Sequence, residues 1–253
     1  MRQSVRLAMA VAALAISLPA QTTLTVVNGA SFRAKPGVAP GSLASAFGDF
    51  TGVTSGDATE IPLPRQIAGV QVLVNGVAAP LLAVRPGQVN FQVPAATATG
   101  RATVRVTRDG ADVAAGTAEI VRLAPGIFIA DATDLSRPGA VLNQDSALNR
   151  ETRRIRRGDV LQIFATGQGP VSQPAADGAG GPASPLAETT EPIHVYLGNE
   201  EAPVLFSGLS PQFPGVWQIN VRVPDKASLS GQFPLFITSK NVTSNGVTIW
   251  IEK

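Results

Sequence analysis

The feature that most constrains the fold of this chain is a segment that occurs twice, as QVNFQVP at residues 88–94 and as QINVRVP at residues 218–224. Four of the seven positions are identical, and apolar and polar residues alternate in both copies. Alternation with period two is typical of a strand that buries one face against a second layer. Pro94 and Pro224 lack the backbone N–H that a further ladder bond would need, so each predicted strand ends there. We therefore predict the same half-buried strand in each half of the chain.

The similarity between the two halves extends well beyond this segment. Four more pairs of segments recur in the same order: VVNGAS (26–31) with VLNQDS (141–146), PGSLASAFG (40–48) with RGDVLQIFATG (157–167), VQVLVNGVAAPLL (70–82) with IHVYLGNEEAPVL (193–205), and RATVRVTRDG (101–110) with FPLFITSKN (233–241). An internal duplication of about 115 residues is the simplest explanation of this order. Each copy has room for about seven short strands, which is the size of one immunoglobulin-like sandwich.

Composition also favours an all-β fold. The chain has 25 glycines and 20 prolines, and these separate short runs rich in Val, Ile, Thr and Phe. Such spacing of turn residues and short β-prone runs is typical of a sandwich or a barrel. The predicted fold class is all-β, with two tandem immunoglobulin-like β-sandwiches at residues 21–122 and 141–253.

Two segments stand apart from the repeated strands. Residues 123–140 form the predicted connector, and the apolar run Ile127, Phe128 and Ile129 indicates that it packs between the two copies. Residues 167–192 form a long loop within the second copy, low in hydrophobicity and rich in Gly, Pro and Ala. We expect this long loop to be the most mobile part of the chain.

Residues 1–20 match a secretory signal peptide. Arg2 and Arg6 precede an apolar stretch at residues 7–18, and Ala20 is a small residue at the expected cleavage site. A retained membrane anchor is the alternative, but a bilayer span takes ~20 apolar residues, more than this stretch has. We therefore expect export, an extracytoplasmic location (periplasmic, cell-surface or secreted) and no transmembrane segment after signal cleavage.

Charge and the scarcity of reactive residues exclude several classes of function. The chain has 20 Lys+Arg against 18 Asp+Glu, and removal of the two signal-peptide arginines leaves 18 against 18. A nearly neutral mature chain does not favour nucleic acid as a partner, and we predict that the basic run at residues 150–159 is a solvated turn. Because the chain has no cysteine, thiol catalysis and Cys-ligated metals are excluded, and the single histidine, His194, could centre only one catalytic triad.

A row of aromatic residues is predicted on the outer face of the second sandwich. By strand alternation, His194 and Tyr196 in PIHVYLG and Trp250 in GVTIWIE point away from the core. In the immunoglobulin strand order Phe236 lies between Tyr196 and Trp250, with His194 at the edge of the row. The matching outer positions of the first copy carry no such row: Gln71, Leu73 and Asn75.

Three interpretations of this apolar row are open. The long loop or the other copy covers it, it binds another protein or a second chain, or it stacks sugar rings as a carbohydrate-binding module does. In the last two cases the binding would belong to the second sandwich alone.

Catalytic and metal sites are not predicted. As a general base, His194 would need a nucleophile or water and an orienting carboxylate, and Glu188 and Glu191, which are near in sequence, lie in or beside the long loop. The paired carboxylates stand in single turns, where we expect them to be solvated: Glu200 with Glu201, and Asp131 with Asp134. The sequence has no calcium-loop or phosphate-loop signature, so the prediction is no catalytic residue, no metal and no cofactor.

Several motifs in fixed order together resemble one known family. They are VVNGASF, APGSLASAFG, VLVNGVAAPLLAVRPGQVNFQVP, LAPGIF, RRGDVLQIFATGQGPV, PLAETTEPIHV and WQINVRVP. The chain resembles, over about residues 24–250, the uncharacterised C-terminal domain family of exported proteins expanded in Acidobacteria such as Solibacter. Each half is also similar, more weakly, to the IPT/TIG immunoglobulin-like domains. The resemblance implies an extracytoplasmic β-rich module and assigns no activity and no catalytic residue.

These observations predict an exported, non-catalytic binding or structural module of the cell envelope or extracellular space. The partner would be an unknown protein or a polysaccharide. The alternative is a carbohydrate-binding module that uses the aromatic row of the second sandwich.

Overall fold

The computed structural model describes residues 22–252, and this part of the chain folds into strands without any α-helix. The predicted signal peptide, residues 1–20, lies outside the described residues. The strands fall into two groups, one on each side of residue 121.

The first group forms one continuous sheet. Its strands are β1 (Thr22–Asn28), β2 (Leu43–Phe47), β3 (Gly56–Asp57), β4 (Val70–Val74), β5 (Val77–Ala78), β6 (Leu81–Arg85), β7 (Gln88–Gln92), β8 (Gly100–Arg108) and β9 (Ala111–Ile120). Their order in the sheet is β3-β6-β7-β2-β1-β9-β8-β4-β5.

Strand β1 joins the two layers of this first sandwich. Residues 22–25 pair in parallel with β9, whereas residues 25–28 pair antiparallel with β2. Val72 of β4, Val106 of β8 and Phe91 of β7 all belong to one buried core. The sheet therefore folds over its own core, with β1 at the corner.

The second group forms two five-stranded sheets. Its strands are β10 (Gly126–Ile127), β11 (Val141–Leu142), β12 (Val160–Thr166), β13 (His194–Leu197), β14 (Glu200–Ala202), β15 (Val204–Leu209), β16 (Trp217–Arg222), β17 (Gly231–Ser239), β18 (Val242–Thr243) and β19 (Val247–Ile251). One sheet has the order β10-β12-β16-β15, with β11 also paired to β12. The other has the order β14-β13-β17-β18, with β19 also paired to β17.

Strand order and register repeat between the two halves. The order β6-β7-β2 matches β15-β16-β12, and β5-β4-β8-β9 matches β14-β13-β17-β19. Facing residues match as well, because Ala44 lies opposite Phe91 as Leu161 lies opposite Val221. The predicted fold class, all-β with two tandem immunoglobulin-like sandwiches, is confirmed. An origin by duplication agrees with this repetition and stays a prediction.

The repeated segments supply core residues in both sandwiches. Val89, Phe91 and Val93 are completely or almost completely buried, and so are the corresponding Ile219, Val221 and Val223. Trp217 is also buried in the second core, where its indole Nε1 donates to the Ser207 hydroxyl at 2.9 Å. A buried indole N–H that has a partner adds no desolvation penalty to the large apolar area of the ring.

The connector contributes directly to the second core. Ile127 is fully buried there, and its backbone N–H and C=O both pair with the side-chain amide of Asn245, at 2.8 and 2.9 Å. Three residues earlier, the Ala124 carbonyl accepts a hydrogen bond of 2.8 Å from the Asn28 side chain of the first sandwich. This short segment is therefore bonded to both sandwiches.

The long loop packs against the first sandwich. The Gly178 N–H donates to the Gln92 side chain at 2.6 Å, and the Gly178 carbonyl accepts from the Leu63 N–H at 2.8 Å. Asp177 accepts a further bond of 2.8 Å from the Ala95 N–H. These hydrogen bonds hold the loop against the first sandwich, which its composition alone does not reveal; that the loop is the most mobile part of the chain stays a prediction.

Candidate functional site

The neighbouring strands β14, β13 and β17 place an aromatic face on the outer surface of the second sandwich. We define the aromatic face as His194, Tyr196 and Phe236, with the adjoining Glu201. Val195 and Leu197 point into the core and are fully buried, so His194 and Tyr196 take the opposite side of β13.

Tyr196 and Phe236 form the centre of this face. They are directly opposite each other on β13 and β17, with ring centroids 5.2 Å apart and ring planes inclined by 16°. Both side chains are half-buried. Stacked aromatic pairs of this kind stabilise a sheet by about 0.5–1.5 kcal/mol beyond the area that they bury. The pair leaves part of its apolar surface open to a ligand or partner.

An ionisable pair borders the rings. His194 Nδ1 lies 2.6 Å from Glu201 Oε1, and both side chains are about half exposed. Glu201 lies directly opposite Tyr196 on the neighbouring strand β14. The tight turn at Gly198, with φ of 63°, sets this register of β13 and β14. The sequence prediction named Glu188 and Glu191 as the nearby carboxylates and missed Glu201. The Gly-Asn turn between β13 and β14 was the sequence feature that could have identified Glu201 as a neighbour of His194.

The His194–Glu201 pair does not form a catalytic group by itself. A general base needs a nucleophile or a held water in reach, together with a site that orients the substrate. His194 stands on an open strand surface, where its ring is free to contact solvent or a ligand. The pair can offer hydrogen bonds to hydroxyl or amide groups beside the rings.

Trp250 does not belong to the exposed face, so that part of the prediction was wrong. It is on the outer side of β19, but only 5% of it is exposed. It pairs with Gln232, four positions along β17 from Phe236, and shares a cavity lining with connector residues and with residues 150–152. Asn149 holds its backbone through two hydrogen bonds, at 2.7 and 2.9 Å. The connector and the turn after β11 lie beside Trp250, and strand alternation cannot reveal these neighbours.

The equivalent surface of the first sandwich is polar. Leu73 occupies the position of Tyr196 and lies opposite Arg105, where the second sandwich has Phe236. Arg105 makes a salt bridge of 3.0 Å with Asp112, and Asn75 accepts a 2.8 Å bond from the Thr103 N–H. This surface therefore carries neither an aromatic pair nor an open apolar strip.

The carboxylate pairs of the sequence lie in turns or on a strand edge. Asp131 accepts hydrogen bonds from the Thr133 N–H and hydroxyl at 2.9 and 2.7 Å, and the hydroxyl is the main reason that the pKa of Asp131 lies below its ordinary value. Glu200 pairs with Lys226. Within residues 22–252, no group of three or more His, Asp and Glu side chains has the arrangement to hold a metal ion.

Over the same described range, no helix has the length and apolar character that crossing a bilayer requires.

Comparison with known proteins gives structural similarities only. No protein-family model matches the chain, and no curated protein matches it. The resemblance to the acidobacterial C-terminal domain family therefore stays a prediction.

Solved structures with a similar arrangement include a surface glycan-binding protein, SGBP-B, from the mixed-linkage glucan utilization locus of Bacteroides ovatus, solved with a mixed-linkage heptasaccharide. It is 11% identical, with a TM-score of 0.34, over 85% of this chain and 43% of that one. The Escherichia coli adhesin FdeC is 13% identical, with a TM-score of 0.25, over 92% of this chain and 63% of that one. Titin domains A168–A170 are 14% identical, with a TM-score of 0.24, over 92% of this chain and 66% of that one.

The chain thus spans less than two thirds of each of these structures. At TM-scores below 0.5 the similarities carry no argument about what this chain binds, and a shared fold does not define a function.

Proposed function

We propose that the chain is an exported, non-catalytic binding module of the cell envelope or extracellular space, and that its second sandwich engages the partner through the aromatic face. The observation that supports this proposal most strongly is the half-buried Tyr196–Phe236 pair, 5.2 Å between ring centroids, at a position where the first sandwich has Leu73 and Arg105. The aromatic pair leaves ring surface exposed where the first sandwich has one leucine beside a salt-bridged arginine, and exposed apolar surface bordered by polar groups is a feature of interaction sites. Export rests on the predicted signal peptide.

The two sandwiches would act as one rigid unit in this role. The Leu43 N–H of the first sandwich donates to the Thr166 hydroxyl of the second at 2.9 Å, and that hydroxyl donates to the Gly215 carbonyl at 2.7 Å. Glu191 accepts from both Arg122 and Lys240, at 2.6 and 2.8 Å. These bonds fix the aromatic face relative to the first sandwich, which lowers the entropy that binding would otherwise cost.

A pull-down from native envelope fractions tests the proposal. The baits are the unmodified chain, the face variant Tyr196→Ala/Phe236→Ala and the matched variant Leu73→Ala/Arg105→Ala. We expect a partner that the unmodified chain and the matched variant retain and that the face variant loses. A partner retained equally by all three baits would contradict the use of this face.

A carbohydrate ligand is the second candidate, and one observation favours it. The stacked rings adjoin His194 and Glu201, so apolar ring surface and hydrogen-bonding groups are side by side. Sugars present both C–H faces and hydroxyl groups, which such an arrangement can stack on and pair with.

Affinity electrophoresis against a panel of soluble polysaccharides, including xylan, mannan, dextran and β-glucan, tests this candidate. Retardation of the unmodified chain that is lost in Tyr196→Ala and kept in Leu73→Ala would support it. Absence of retardation on every polysaccharide would remove the sugar candidate and leave a protein partner.

A further inference from the structure

Trp250 lines a cavity of ≈ 290 Å³ on the outer side of the second sandwich. The rest of the lining comes from the connector, from the turn at residues 150–152 and from Gln232, which lies opposite Trp250 on β17. The volume is at the lower end of the range for ligand pockets, about 300 Å³, and suits one small ring.

Hydrogen bonds attach both lining segments to β19. The Thr248 hydroxyl donates to the Ser136 carbonyl of the connector. Asn149, directly before the turn, bonds to the Trp250 backbone N–H and C=O at 2.7 and 2.9 Å. The cavity is therefore a fixed part of the fold.

The indole N–H of Trp250 is a nearly buried donor without a protein acceptor. Trp250 is 5% exposed, yet its Nε1 makes no hydrogen bond within residues 22–252. The side-chain atoms of this range that are both unpaired and sealed from solvent are Thr107 Oγ1 and Gln168 Oε1, so Trp250 Nε1 keeps access to solvent. The indole N–H of Trp217, in contrast, donates to Ser207 at 2.9 Å. A buried indole N–H normally has an acceptor, and the cavity beside Trp250 has room for one.

The other polar groups of the lining include both donors and acceptors. Arg150 and Gln232 line the cavity, and within residues 22–252 neither side chain makes a hydrogen bond or a salt bridge. Asp134 accepts from the Ser136 N–H and hydroxyl at 2.8 and 2.6 Å, both through Oδ1, so Oδ2 is left as an acceptor. An occupant that both donates and accepts would complement this lining.

The charges of the lining favour a neutral occupant. Its ionisable residues are Asp134, Arg150 and Glu151, and Glu151 already pairs with Arg154 at 3.7 Å. One cation and one anion remain to face an occupant. A charged ligand would meet a like charge as well as an opposite one, whereas hydroxyl groups can accept from the guanidinium and donate to the carboxylate.

We propose that this cavity binds one neutral pyranose ring of a sugar or polysaccharide. Ring hydroxyls would accept from the Trp250 indole N–H and from Arg150, and would donate to Asp134. The C–H groups of the ring would contact the indole and Pro138, which also lines the cavity.

The cavity shares no residue with the aromatic face. Phe236 is four positions beyond Gln232 on β17, and four residues of a strand span about 13 Å. One sugar ring in the cavity therefore does not contact the Tyr196–Phe236 pair. Binding at the cavity and binding at the aromatic face can thus succeed or fail independently.

Titration with methyl pyranosides of glucose, galactose, mannose and xylose tests the proposal, followed by ¹H–¹⁵N correlation spectra of the purified chain. We expect at least one of them to shift the indole N–H signal of Trp250 saturably and to leave that of Trp217 unchanged, with a Kd on the order of 1 mM. Absence of a saturable Trp250 shift with all four sugars would overturn the proposal.

Three control compounds test the chemistry of recognition. Tetrahydropyran-2-methanol keeps the ring with a single hydroxyl, and glucuronate and glucosamine each add a charge. All three should bind more weakly than the best neutral pyranoside. Equal or tighter binding of any of them would contradict recognition of a neutral ring through its hydroxyls.

Trp250→Phe removes the indole N–H and keeps an aromatic ring. We expect about fivefold weaker sugar binding, followed at the backbone amides of Ser136 and Thr152, because one hydrogen bond is lost. Unaltered affinity in the folded variant would contradict the role of the indole N–H.

Gln232→Ala is a second test that leaves the buried tryptophan in place. The Gln232 side chain is exposed, so the variant should fold normally and bind the sugar about threefold more weakly. Arg101→Ala is the matched control, because Arg101 precedes Arg105 by four positions as Gln232 precedes Phe236, and it should leave the affinity unchanged. Equal affinity in the Gln232 and Arg101 variants would refute the assignment.

Tyr196→Ala separates this site from the aromatic face. The variant should bind the methyl pyranoside as the unmodified chain does. Loss of the sugar in Tyr196→Ala would place binding at the aromatic face and would overturn the cavity as the site.

Discussion

Where the second sandwich pairs Tyr196 with Phe236, the first sandwich pairs Leu73 with Arg105. The backbone positions are equivalent, because each pair joins the same two strands in the same antiparallel register. The backbone therefore does not decide which surface can bind a partner. The side chains alone put an aromatic pair in the second sandwich where the first has a leucine and a salt-bridged arginine.

The inner surfaces of the two sandwiches show the opposite relation. Ala44 faces Phe91 in the first core, and Leu161 faces Val221 in the second, so a small residue and a large one exchange places across the same strand pair. Cores tolerate such exchanges when the total volume is kept. The two cores thus keep a similar total side-chain volume because one substitution offsets the other. On the outer faces, no second substitution offsets the change in polarity.

The two sandwiches also differ at one more pair of equivalent positions, because the long loop covers one member of the pair and not the other. Gln92 and Arg222 are equivalent in the repeated segment, but Gln92 is 5% exposed because the loop covers it, and Arg222 is exposed. The long loop of the second sandwich therefore changes the exposed surface of the first sandwich.

The largest expected effect is the difference in stability lost when the buried Trp250 and the half-buried Phe236 are each replaced by alanine. Trp250→Ala should lower the free energy of unfolding by about 3–5 kcal/mol, since it empties a buried site. Phe236→Ala should cost only about 2 kcal/mol, since the ring is half-buried. Urea unfolding of both variants measures the difference, and equal losses would contradict the burial of Trp250.

The exchange of small and large core residues can be tested by giving positions 44 and 91 of the first sandwich the leucine and valine of the second. Ala44→Leu should destabilise by about 1–3 kcal/mol through overpacking, and Phe91→Val by about 2 kcal/mol through the cavity that it leaves. The double variant should cost less than the sum, by about 0.5–3 kcal/mol, because the added and removed volumes are in contact. Strict additivity in urea unfolding would show that the two positions do not compensate.

Removal of the loop's anchor should have a smaller effect. Gln92→Ala deletes the bonds to Gly178 and Gly41, so we expect a loss of about 1–2 kcal/mol and faster hydrogen exchange at the Gly178 amide. Arg222→Ala, at the equivalent position, should leave that exchange rate unchanged. Unchanged exchange in Gln92→Ala as well would mean that the loop is held by other contacts.

The smallest effect concerns the ionic contact between the sandwiches. Hydrogen bonds from Lys240 and then Arg122 hold the pKa of Glu191 below its ordinary value of 4.5. A lowered pKa in the folded state means that the charge stabilises the fold above pH 4.5 and that this contribution is lost as the pH falls through the folded-state pKa. Glu191→Gln should therefore lower the melting temperature near neutral pH, and the gap to the unmodified chain should close in acid, as the pH falls below the folded-state pKa.

Glu188→Gln, an exposed substitution in the same loop, is the control for this titration. It should show no gap at either pH. A Glu191→Gln gap that persists in acid would show that the charge of Glu191 is not its cause.

Much of the fold was predictable because it depends on local pattern. Alternation in QVNFQVP and QINVRVP placed Phe91 and Val221 in the two cores, and the prolines marked the strand ends. The site was only partly predictable. Alternation placed Tyr196 and Phe236 on the outer side, but it could not show that Trp250 is buried. Asn149 bonds to Trp250 and Ser136 bonds to the nearby Thr248, and each of these bonds joins residues more than a hundred positions apart.

The packing of the long loop against the first sandwich could not be predicted for the same reason. The composition of residues 167–192 describes a segment that cannot form its own core. Hydrogen bonds with Gln92 and Ala95 of the other sandwich hold this segment in place, and no local pattern relates those residues to Gly178 or Asp177.

Photo-crosslinking in cells that produce the protein tests whether the second sandwich alone presents the binding face. p-Benzoylphenylalanine would replace Tyr196 or Phe236 in the second sandwich, and Leu73 or Arg105 at the equivalent positions of the first. We expect adducts with a protein or polysaccharide from the two positions of the second sandwich and none from the two positions of the first. Adducts of equal yield from all four positions, or from the first sandwich alone, would contradict it.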